Sequence, residues 1–178
     1  RVPLQIVGDG PMADRVKAAA DGDERITWLG RRDTPEVLEI VGNARGLILP
    51  SLWYECFPRT ILESFARGTP VIASRLGSMP ELIDDGRTGA LFAPGDAAHL
   101  ARVVADYTVE RERLASMRHA ARREFETKYT SAINYRHTMT LYDRARGRAP
   151  DAGVTIEVDP AVARGAVEVT LEGGRVER

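Results

Sequence analysis

Short apolar runs alternate along the chain with longer stretches in which apolar residues recur at helical spacing, up to about residue 146. The short runs predict five strands, at Leu4–Val7, Ile26–Leu29, Gly46–Leu49, Val71–Ala73 and Ala90–Phe92. Helices are predicted between them at Ala13–Ala20, from an N-cap at Thr34 to about Val41, at 58–67 and at Met79–Ile83. Strands that alternate with helices imply right-handed crossovers. We therefore expect an α/β, Rossmann-like domain of three layers with a mostly parallel sheet.

The pattern changes twice after the last of these strands. Three helices are predicted in succession, at Ala97–Tyr107, Glu110–Glu126 and Ser131–Arg146. Beyond Gly147 the residues of Val154–Val158 and Ala166–Leu171 alternate between apolar and polar, which indicates either a short β-hairpin or a loosely held tail. The predicted organisation is a Rossmann-like domain over residues 1–146, followed by a tail or hairpin of unassigned role over residues 147–178.

Composition and charge narrow the class of protein. Hydrophobic residues make up 43% of the chain and charged residues 29%, the balance of a soluble protein with a core. The formal net charge of -1 argues against nucleic acid as a partner, because such binding rests on clustered cation–phosphate contacts. No apolar run approaches the ~20 residues of a membrane span, and no signal peptide is evident. The single cysteine, Cys56, suits a reducing compartment, so we expect a cytoplasmic location.

The segment after the third predicted strand carries the candidate chemistry. Glu55 lies in a loop at the carboxyl end of that strand, where open α/β sheets bind their ligands. Pro58 suits the first turn of the next helix, and the free N–H groups near Arg59 and Thr60 make that helix end an anion site. Glu63 lies on a different side from the apolar face of the helix. A simple electrostatic preference for an acid near a helix N-terminus is the alternative explanation of Glu63.

The same segment resembles the donor-site motif of a known family. Pro50–Pro70 has the sequence P-S-L-W-Y-E-C-F-P-R-T-I-L-E-S-F-A-R-G-T-P, in which seven residues separate two glutamates. This is similar to the retaining glycosyltransferases with two Rossmann-like halves, the GT-B fold, often called group 1 or family 4. Four more blocks match in order, at Ile6–Pro11, Trp28–Gly30, Met79–Gly89 and Phe92–Asp96. The resemblance covers roughly residues 4–146 and identifies the chain as the donor-binding, C-terminal half of such an enzyme.

The resemblance implies a role for each matching residue. Glu63 would hold the ribose hydroxyls of the nucleotide, and Glu55 would bind hydroxyls of the donor sugar, which makes these two the catalytic pair. Phe57 and Pro58 would present backbone toward the sugar, while Arg59 and Thr60 would face the diphosphate. The phosphates and the base would be framed by the neighbouring strand ends, at Gly8, Gly30, Arg31 and Arg32.

The reaction implied is transfer of a sugar from a nucleotide-diphosphate sugar to an acceptor hydroxyl, with retention of the anomeric configuration. The acceptor would be a glycan, a lipid or a small molecule, and neither metal nor cofactor is expected. A retaining hydrolase also uses two carboxylates, but it needs no anion site beside them. The family's preceding strand, its diphosphate-binding lysine and its N-terminal acceptor domain have no counterpart here, so we expect weak donor binding and negligible turnover by this chain alone. A non-catalytic nucleotide-sugar-binding or regulatory module is the alternative.

Three features outside the motif leave alternatives open. Trp53 and Tyr54 could stack on a base or a sugar, although burial under the loop is favoured. The five arginines between Arg111 and Arg123 indicate a solvated helix face in preference to weak peripheral contact with anionic lipid at the inner membrane face. Glu81 could line the donor pocket or cap its short helix.

Overall fold

The computed structural model describes residues 2–148, 154–157 and 168–171. Every predicted strand and helix is confirmed, with ends that differ by a few residues at most. The strands are β1 Leu4–Val7, β2 Ile26–Gly30, β3 Leu47–Leu49, β4 Val71–Ser74, β5 Gly89–Phe92, β6 Val154–Glu157 and β7 Glu168–Leu171. The helices are α1 Ala13–Asp21, α2 Thr34–Asn43, α3 Arg59–Ala66, α4 Met79–Leu82, α5 Ala97–Val109, α6 Arg111–Lys128 and α7 Ser131–Arg148.

The parallel pairing is confirmed, but the strands form two parallel sheets where the pattern predicts one. β1 pairs with β2, and β3, β4 and β5 form a three-stranded sheet in that order. Within residues 2–148, no strand pairing joins β1 to β3. Apolar periodicity identifies which segments are strands, whereas the choice of neighbouring edge depends on contacts distant in sequence, and this is why the division was not foreseen.

The chain divides into two compact units, Arg1–Thr130 and Ser131–Arg178. Helix α7, which the sequence pattern assigns to the Rossmann-like domain, therefore groups with the residues that follow it. β6 and β7 pair antiparallel in this second unit, with Val154 opposite Leu171. The pairing confirms a hairpin in the predicted place. The predicted strand residues 158, 166 and 167 lie outside the described residues.

Strand β4 is the centre of the core because it is covered on both faces. Val71 and Ala73 pack in one cluster with Ile61 and Phe65 of α3. Ile72 points to the opposite face, where residues of α5 and α6 form a second cluster with it. All four residues of β4 are buried, as expected for a strand between two helical layers. This arrangement confirms the three-layer α/β class.

Helix α6 ties neighbouring helices together through main-chain hydrogen bonds. The Arg118 guanidinium donates to the carbonyl oxygens of Gly42 and Ala44 at the end of α2, at 2.8 and 2.6 Å. Arg122 donates to the carbonyl of Ala66, the last residue of α3. Cations at these positions satisfy carbonyl groups that a helix end leaves unpaired. Two of the five arginines of α6 therefore have a structural role that neither predicted alternative included.

The start of α2 corrects one expectation. Asp33, and not Thr34, is the N-cap: its carboxylate accepts from the Glu36 N–H at 2.9 Å, and the Glu36 side chain accepts from the Asp33 N–H. This reciprocal pair is a capping box, which satisfies two N–H groups where a lone Thr34 hydroxyl would satisfy one. Pro35 lies in the first turn, as predicted. The capping box therefore fixes the point at which the β2–α2 loop, which carries Arg31 and Arg32, ends and α2 begins.

Candidate functional site

The candidate site is built on the loop and helix that follow β3. Glu55 lies in the loop, and Glu63 lies in the second turn of α3. Helix α3 buries Ile61, Ser64 and Phe65 against the core, so Glu63 remains on a half-buried side of the helix. Glu55 therefore precedes the start of α3 and Glu63 follows it by just over one turn, on a helix whose orientation the core determines.

The N-terminus of α3 is open. Pro58 is the N-cap residue, with no side-chain hydrogen bond from it, and its carbonyl accepts from the Ile61 N–H at 3.1 Å. Within residues 2–148, the backbone N–H groups of Arg59 and Thr60 have no hydrogen-bond partner. These groups and the positive end of the helix dipole point out of the helix, which is the arrangement that binds phosphate.

Glu63 pairs with Arg59 and borders an open groove. The Arg59 guanidinium lies 3.3 Å from Glu63 Oε1, one helical turn away, and its side chain is 84% exposed. The groove has a volume of about 460 Å³. We call it the α3 groove, and it is lined by Leu38, Arg59, Leu62, Glu63, Ala66, Arg67, Arg122 and Phe125. Four of these residues are apolar and three are arginines, so the groove offers a ligand both apolar surface and positive charge.

Glu55 lies outside the α3 groove and is held from two directions. Its carboxylate oxygen Oε1 accepts from the Trp53 indole N–H at 2.8 Å and from the Ser51 hydroxyl at 3.3 Å. Its main-chain carbonyl accepts from the hydroxyl and the N–H of Ser78, at 2.9 and 3.2 Å. A Cβ atom at Gly77 would lie only 2.8 Å from that carbonyl oxygen. The turn after β4 is therefore packed directly against Glu55.

These contacts of Glu55 could not be predicted from the sequence motif. Ser51 and Trp53 are close to it in sequence, but no motif spacing marks them as its partners. Gly77 and Ser78 stand out only as loop residues. The positive φ of Gly77, 58°, and the close approach of its Cα to Glu55 require glycine there.

Gly8 and Gly30 lie together at the carboxyl ends of β1 and β2. The Gly8 N–H donates to the Gly30 carbonyl at 2.8 Å, and the Trp28 indole N–H donates to the Gly8 carbonyl at 3.0 Å. Both glycines have positive φ, 130° and 66°. Arg31 and Arg32 follow with exposed side chains. The structure thus brings the predicted phosphate-framing residues together as one group, and Glu55, Phe57, Pro58, Arg59, Thr60 and Glu63 as another. No hydrogen bond or ion pair within residues 2–148 joins the two groups.

The favoured burial of Trp53 and Tyr54 is wrong. Their residues are 65% and 79% exposed, and Leu52 beside them is 67% exposed. The ring of Phe57, also exposed, has an edge-to-face contact with Tyr129, with centroids 6.4 Å apart. Apolar character predicts burial only where neighbouring elements cover the side chain, and this loop projects beyond the strand ends. The loop consequently presents a row of exposed apolar side chains beside Glu55.

A second groove, lined mostly by charged residues, lies between α4 and α6. Its lining includes Arg75, Glu81, Asp84, Asp85, Arg87, Glu124 and Lys128. Glu124 is buried and accepts from Arg87 at 2.7 Å and from Lys128. Burial disfavours the charge of Glu124, but the hydrogen bonds from Lys128 and Arg87 outweigh it and lower the pKa of this carboxylate. Glu81 lines this groove and not the α3 groove. The charge of Glu124 is balanced by Arg87 and Lys128, which indicates that these ion pairs stabilise the fold.

The part of the chain that the structure describes also bears on two other classes of site, metal centres and membrane spans. Across residues 2–148 there is no group of three or more histidine, cysteine, aspartate or glutamate side chains placed to hold a metal ion. In the same part of the chain, no helix is long and apolar enough to cross a membrane. His99 accepts a hydrogen bond from the Ala93 N–H at 3.1 Å, which is a loop contact.

Comparison with known proteins places these residues in a family context. The family model "Glycosyl transferases group 1" matches residues 1–108. The amylovoran biosynthesis glycosyltransferase AmsK of Erwinia amylovora is 30% identical over 147 residues, which is 78% of this chain and 36% of AmsK. The glycogen synthase of Mycobacterium tuberculosis is 36% identical over 104 residues, 57% of this chain and 25% of that protein.

Among solved structures, Anabaena Alr3699/HepE in complex with UDP aligns with a TM-score of 0.68 at 26% identity. The alignment covers 80% of this chain and 41% of that one. The chain therefore spans about a third or less of the two curated relatives and under half of the aligned structure.

Proposed function

Since the chain belongs to the glycosyl transferases group 1 family, we propose that it forms the donor site of a retaining glycosyltransferase. The donor is a nucleotide-diphosphate sugar, and the acceptor is a hydroxyl compound bound by another part of the enzyme. A uridine nucleotide is the first candidate, because Alr3699/HepE, at 26% identity, has been crystallised with UDP.

The observation that carries the proposal is the open N-terminus of α3, which lies in the chain between the loop that carries Glu55 and the helical turn that carries Glu63. The unpartnered N–H groups of Arg59 and Thr60 supply donors to the diphosphate, and the helix dipole adds favourable potential. As the bond to the sugar breaks, negative charge grows on the leaving diphosphate. Fixed donors at that position stabilise the transition state more than the ground state, which is what catalysis requires.

Glu63 and Arg59 are arranged to exchange partners when a nucleotide binds. An exposed i, i+4 ion pair contributes only ~0.3–0.5 kcal/mol, so little is lost when the two side chains separate. Arg59, 84% exposed, can then turn to the diphosphate, and Glu63 can accept hydrogen bonds from the two ribose hydroxyls. The apolar wall of the α3 groove provides a surface for the nucleotide.

Glu55 binds hydroxyls of the donor sugar and fixes the anomeric carbon for attack from the side of the leaving group. The proposal assigns no metal to this step, and transfer is expected to continue in the presence of a chelator. It also places the enzyme in a reducing, cytoplasmic compartment, which suits the exposed free thiol of Cys56.

Titration calorimetry of this chain with UDP, GDP and ADP, and with the matching nucleotide sugars, tests the donor site. We expect one nucleotide class to bind and Glu63→Gln to weaken it by about tenfold or more, the value of hydrogen bonds to a charged group. Glu39→Gln, on the exposed side of α2, is the matched control and should bind as the wild type does.

Two binding results would count against the donor site, and a third result would count against catalysis. A folded wild-type chain that binds none of the six ligands would leave the donor site without support. Equal affinities for wild type and Glu63→Gln would remove the assigned role of that carboxylate. Binding followed by no transfer in the whole enzyme, with any acceptor, would favour a nucleotide-sugar-binding module that is not catalytic.

A further inference from the structure

The carboxylate of Glu55 is oriented by hydrogen bonds on one oxygen only. Oε1 accepts from Trp53 at 2.8 Å and from Ser51 at 3.3 Å. Oε2 has no hydrogen-bond partner within residues 2–148. Two donors on one oxygen select a single rotation of the carboxylate, and they leave the second oxygen available to a ligand.

The hydrogen bond from Trp53 is not required by burial. Trp53 is 65% exposed, so its indole N–H could bond to water without a penalty. A donor that water could replace contributes little to folding. The Trp53 N–H can still determine how the Glu55 carboxylate is turned, because an indole N–H that donates to a carboxylate makes a charge-assisted and therefore short and strong bond.

The backbone beneath the carboxylate is held independently of Trp53. Ser78 donates twice to the Glu55 carbonyl, and Gly77 packs against the same atoms. With the main chain fixed in this way, the only freedom left to Glu55 is rotation of its own side chain. That freedom is what the bonds from Trp53 and Ser51 remove.

We propose that Trp53 is a positioning residue, which together with Ser51 turns Oε2 of Glu55 toward the hydroxyls of the donor sugar. The inference rests on the proposed function. Trp53 acts through Glu55 and does not touch the nucleotide, so its effect is confined to the sugar part of the donor. Binding of the bare nucleoside diphosphate is independent of it.

The test compares two ligands and two variants. Trp53→Phe keeps an aromatic ring and removes the indole donor, while Tyr54→Phe alters the neighbouring exposed ring, which has no hydrogen bond to Glu55. With UDP and UDP-glucose as probes, we expect Trp53→Phe to weaken UDP-glucose by about three- to tenfold, the net value of one hydrogen bond, and to leave UDP unchanged. Tyr54→Phe should leave both unchanged. A loss of equal size for UDP and UDP-glucose, or no loss for either, would overturn the proposal.

A spectroscopic measurement reports on the hydrogen bond without any ligand. The chain has two tryptophans, and the indole N–H of Trp28, which donates to the Gly8 carbonyl, is an internal reference for that of Trp53. In a nitrogen–proton correlation spectrum, Glu55→Gln should shift the Trp53 indole signal and leave the Trp28 signal in place. An unshifted Trp53 signal overturns the proposal whatever the binding data.

The two readouts separate the failure of the inference from that of the proposed function. If the wild type binds neither UDP nor UDP-glucose, nor any other nucleotide and its sugar, the proposed function fails and the role of Trp53 falls with it, even where the spectrum shows the bond. If UDP binds and the spectrum shows no bond, only the role of Trp53 fails.

Discussion

Two regions of the first unit differ sharply in how well they are packed. The β1–α1–β2 region, residues 4–30, has no buried side chain. The β3–β5 region, residues 47–128, contains both hydrophobic clusters and all but one of the buried apolar residues of the described chain. Both regions contain parallel strands, but the β3–β5 region has a third strand, and helices α5 and α6 contribute to its buried clusters.

The difference shows what burial in a parallel sheet requires. β4 has a strand on each side and helices on both faces, and it is buried throughout. Within residues 2–148, β1 pairs with β2 alone, and Leu4 at its start is 39% exposed. The candidate site uses both regions: Gly8 and Gly30 belong to the weakly packed one, and Glu55 and Glu63 lie on the well-packed one. The glutamates therefore have the firmer support.

The largest expected effect comes from truncation of the core on α3. Phe65 is fully buried against β4, so Phe65→Ala should lower the free energy of unfolding by about 3–5 kcal/mol. Leu4→Ala in β1 should change it by only about 0.5 kcal/mol, the usual range for surface positions. Urea denaturation of both variants measures the difference. Similar losses at the two positions would mean that β1 is packed far better than its exposure indicates.

A glycine in each region offers the next comparison. A Cβ at Gly89 in β5 would lie 2.0 Å from the Val71 carbonyl oxygen, which is backbone of the neighbouring strand and cannot move aside. Gly89→Ala should therefore cost about 3 kcal/mol, at the upper end of overpacking. Gly10→Ala, after β1, meets nothing within 4 Å and should cost nothing. Urea denaturation of both variants measures these losses. A Gly89→Ala variant with the same free energy of unfolding as the wild type would show that β4 and β5 can separate.

The smallest effect concerns one ion pair from each region and depends on pH. Because the folded-state pKa of Glu124 is lowered, its contribution is present above the unfolded-state value of ~4.3 and is lost as the pH falls through the folded-state value. Glu124→Gln should cost about 1–2 kcal/mol at pH 7, and the gap to the wild type should close in acid. Hydrogen bonds from the side chain and backbone of Arg25 lower the pKa of Asp23 to about 2, and the pair is partly open to solvent. Asp23→Asn should also destabilise the fold at pH 7, but by less than Glu124→Gln, because solvent screens the pair with Arg25. A gap for Glu124→Gln that stays constant from pH 7 to pH 2 would contradict this account.

Local patterns were sufficient for the elements and for the site helix. Strand and helix positions follow from apolar spacing, and the place of Glu55 and Glu63 follows from the position of the loop after a strand. The capping box at Asp33 could also have been found, since an acid followed by Glu36 three residues later is its signal. The adjacent Thr34 competed for the same role, and only the helix start in three dimensions decides between them.

Features that depend on contacts between residues distant in the chain could not be predicted from the sequence pattern. The break between β1 and β3 concerns pairing of strand edges, which apolar spacing does not encode. Trp53 was expected to be buried because it is apolar, but no element covers it. The bond from Trp53 to Glu55 is visible only once the loop conformation is known. Arg118 and Arg122 bond to carbonyl groups, which every residue carries, so nothing in the sequence marks their partners.

The arginines of α6 have a consequence for how this protein can vary. Because Arg118 and Arg122 bond to the main chain of residues 42, 44 and 66, the bonds do not depend on which side chains those residues carry. The ends of α2 and α3 can therefore change residue by residue while their attachment to α6 persists. Arg118 has no such freedom, since its guanidinium bonds to two carbonyls at once and the single compact charge of a lysine does not reproduce that fixed geometry. The residues that supply the carbonyl groups can therefore be substituted more freely than the arginine that donates to two of them.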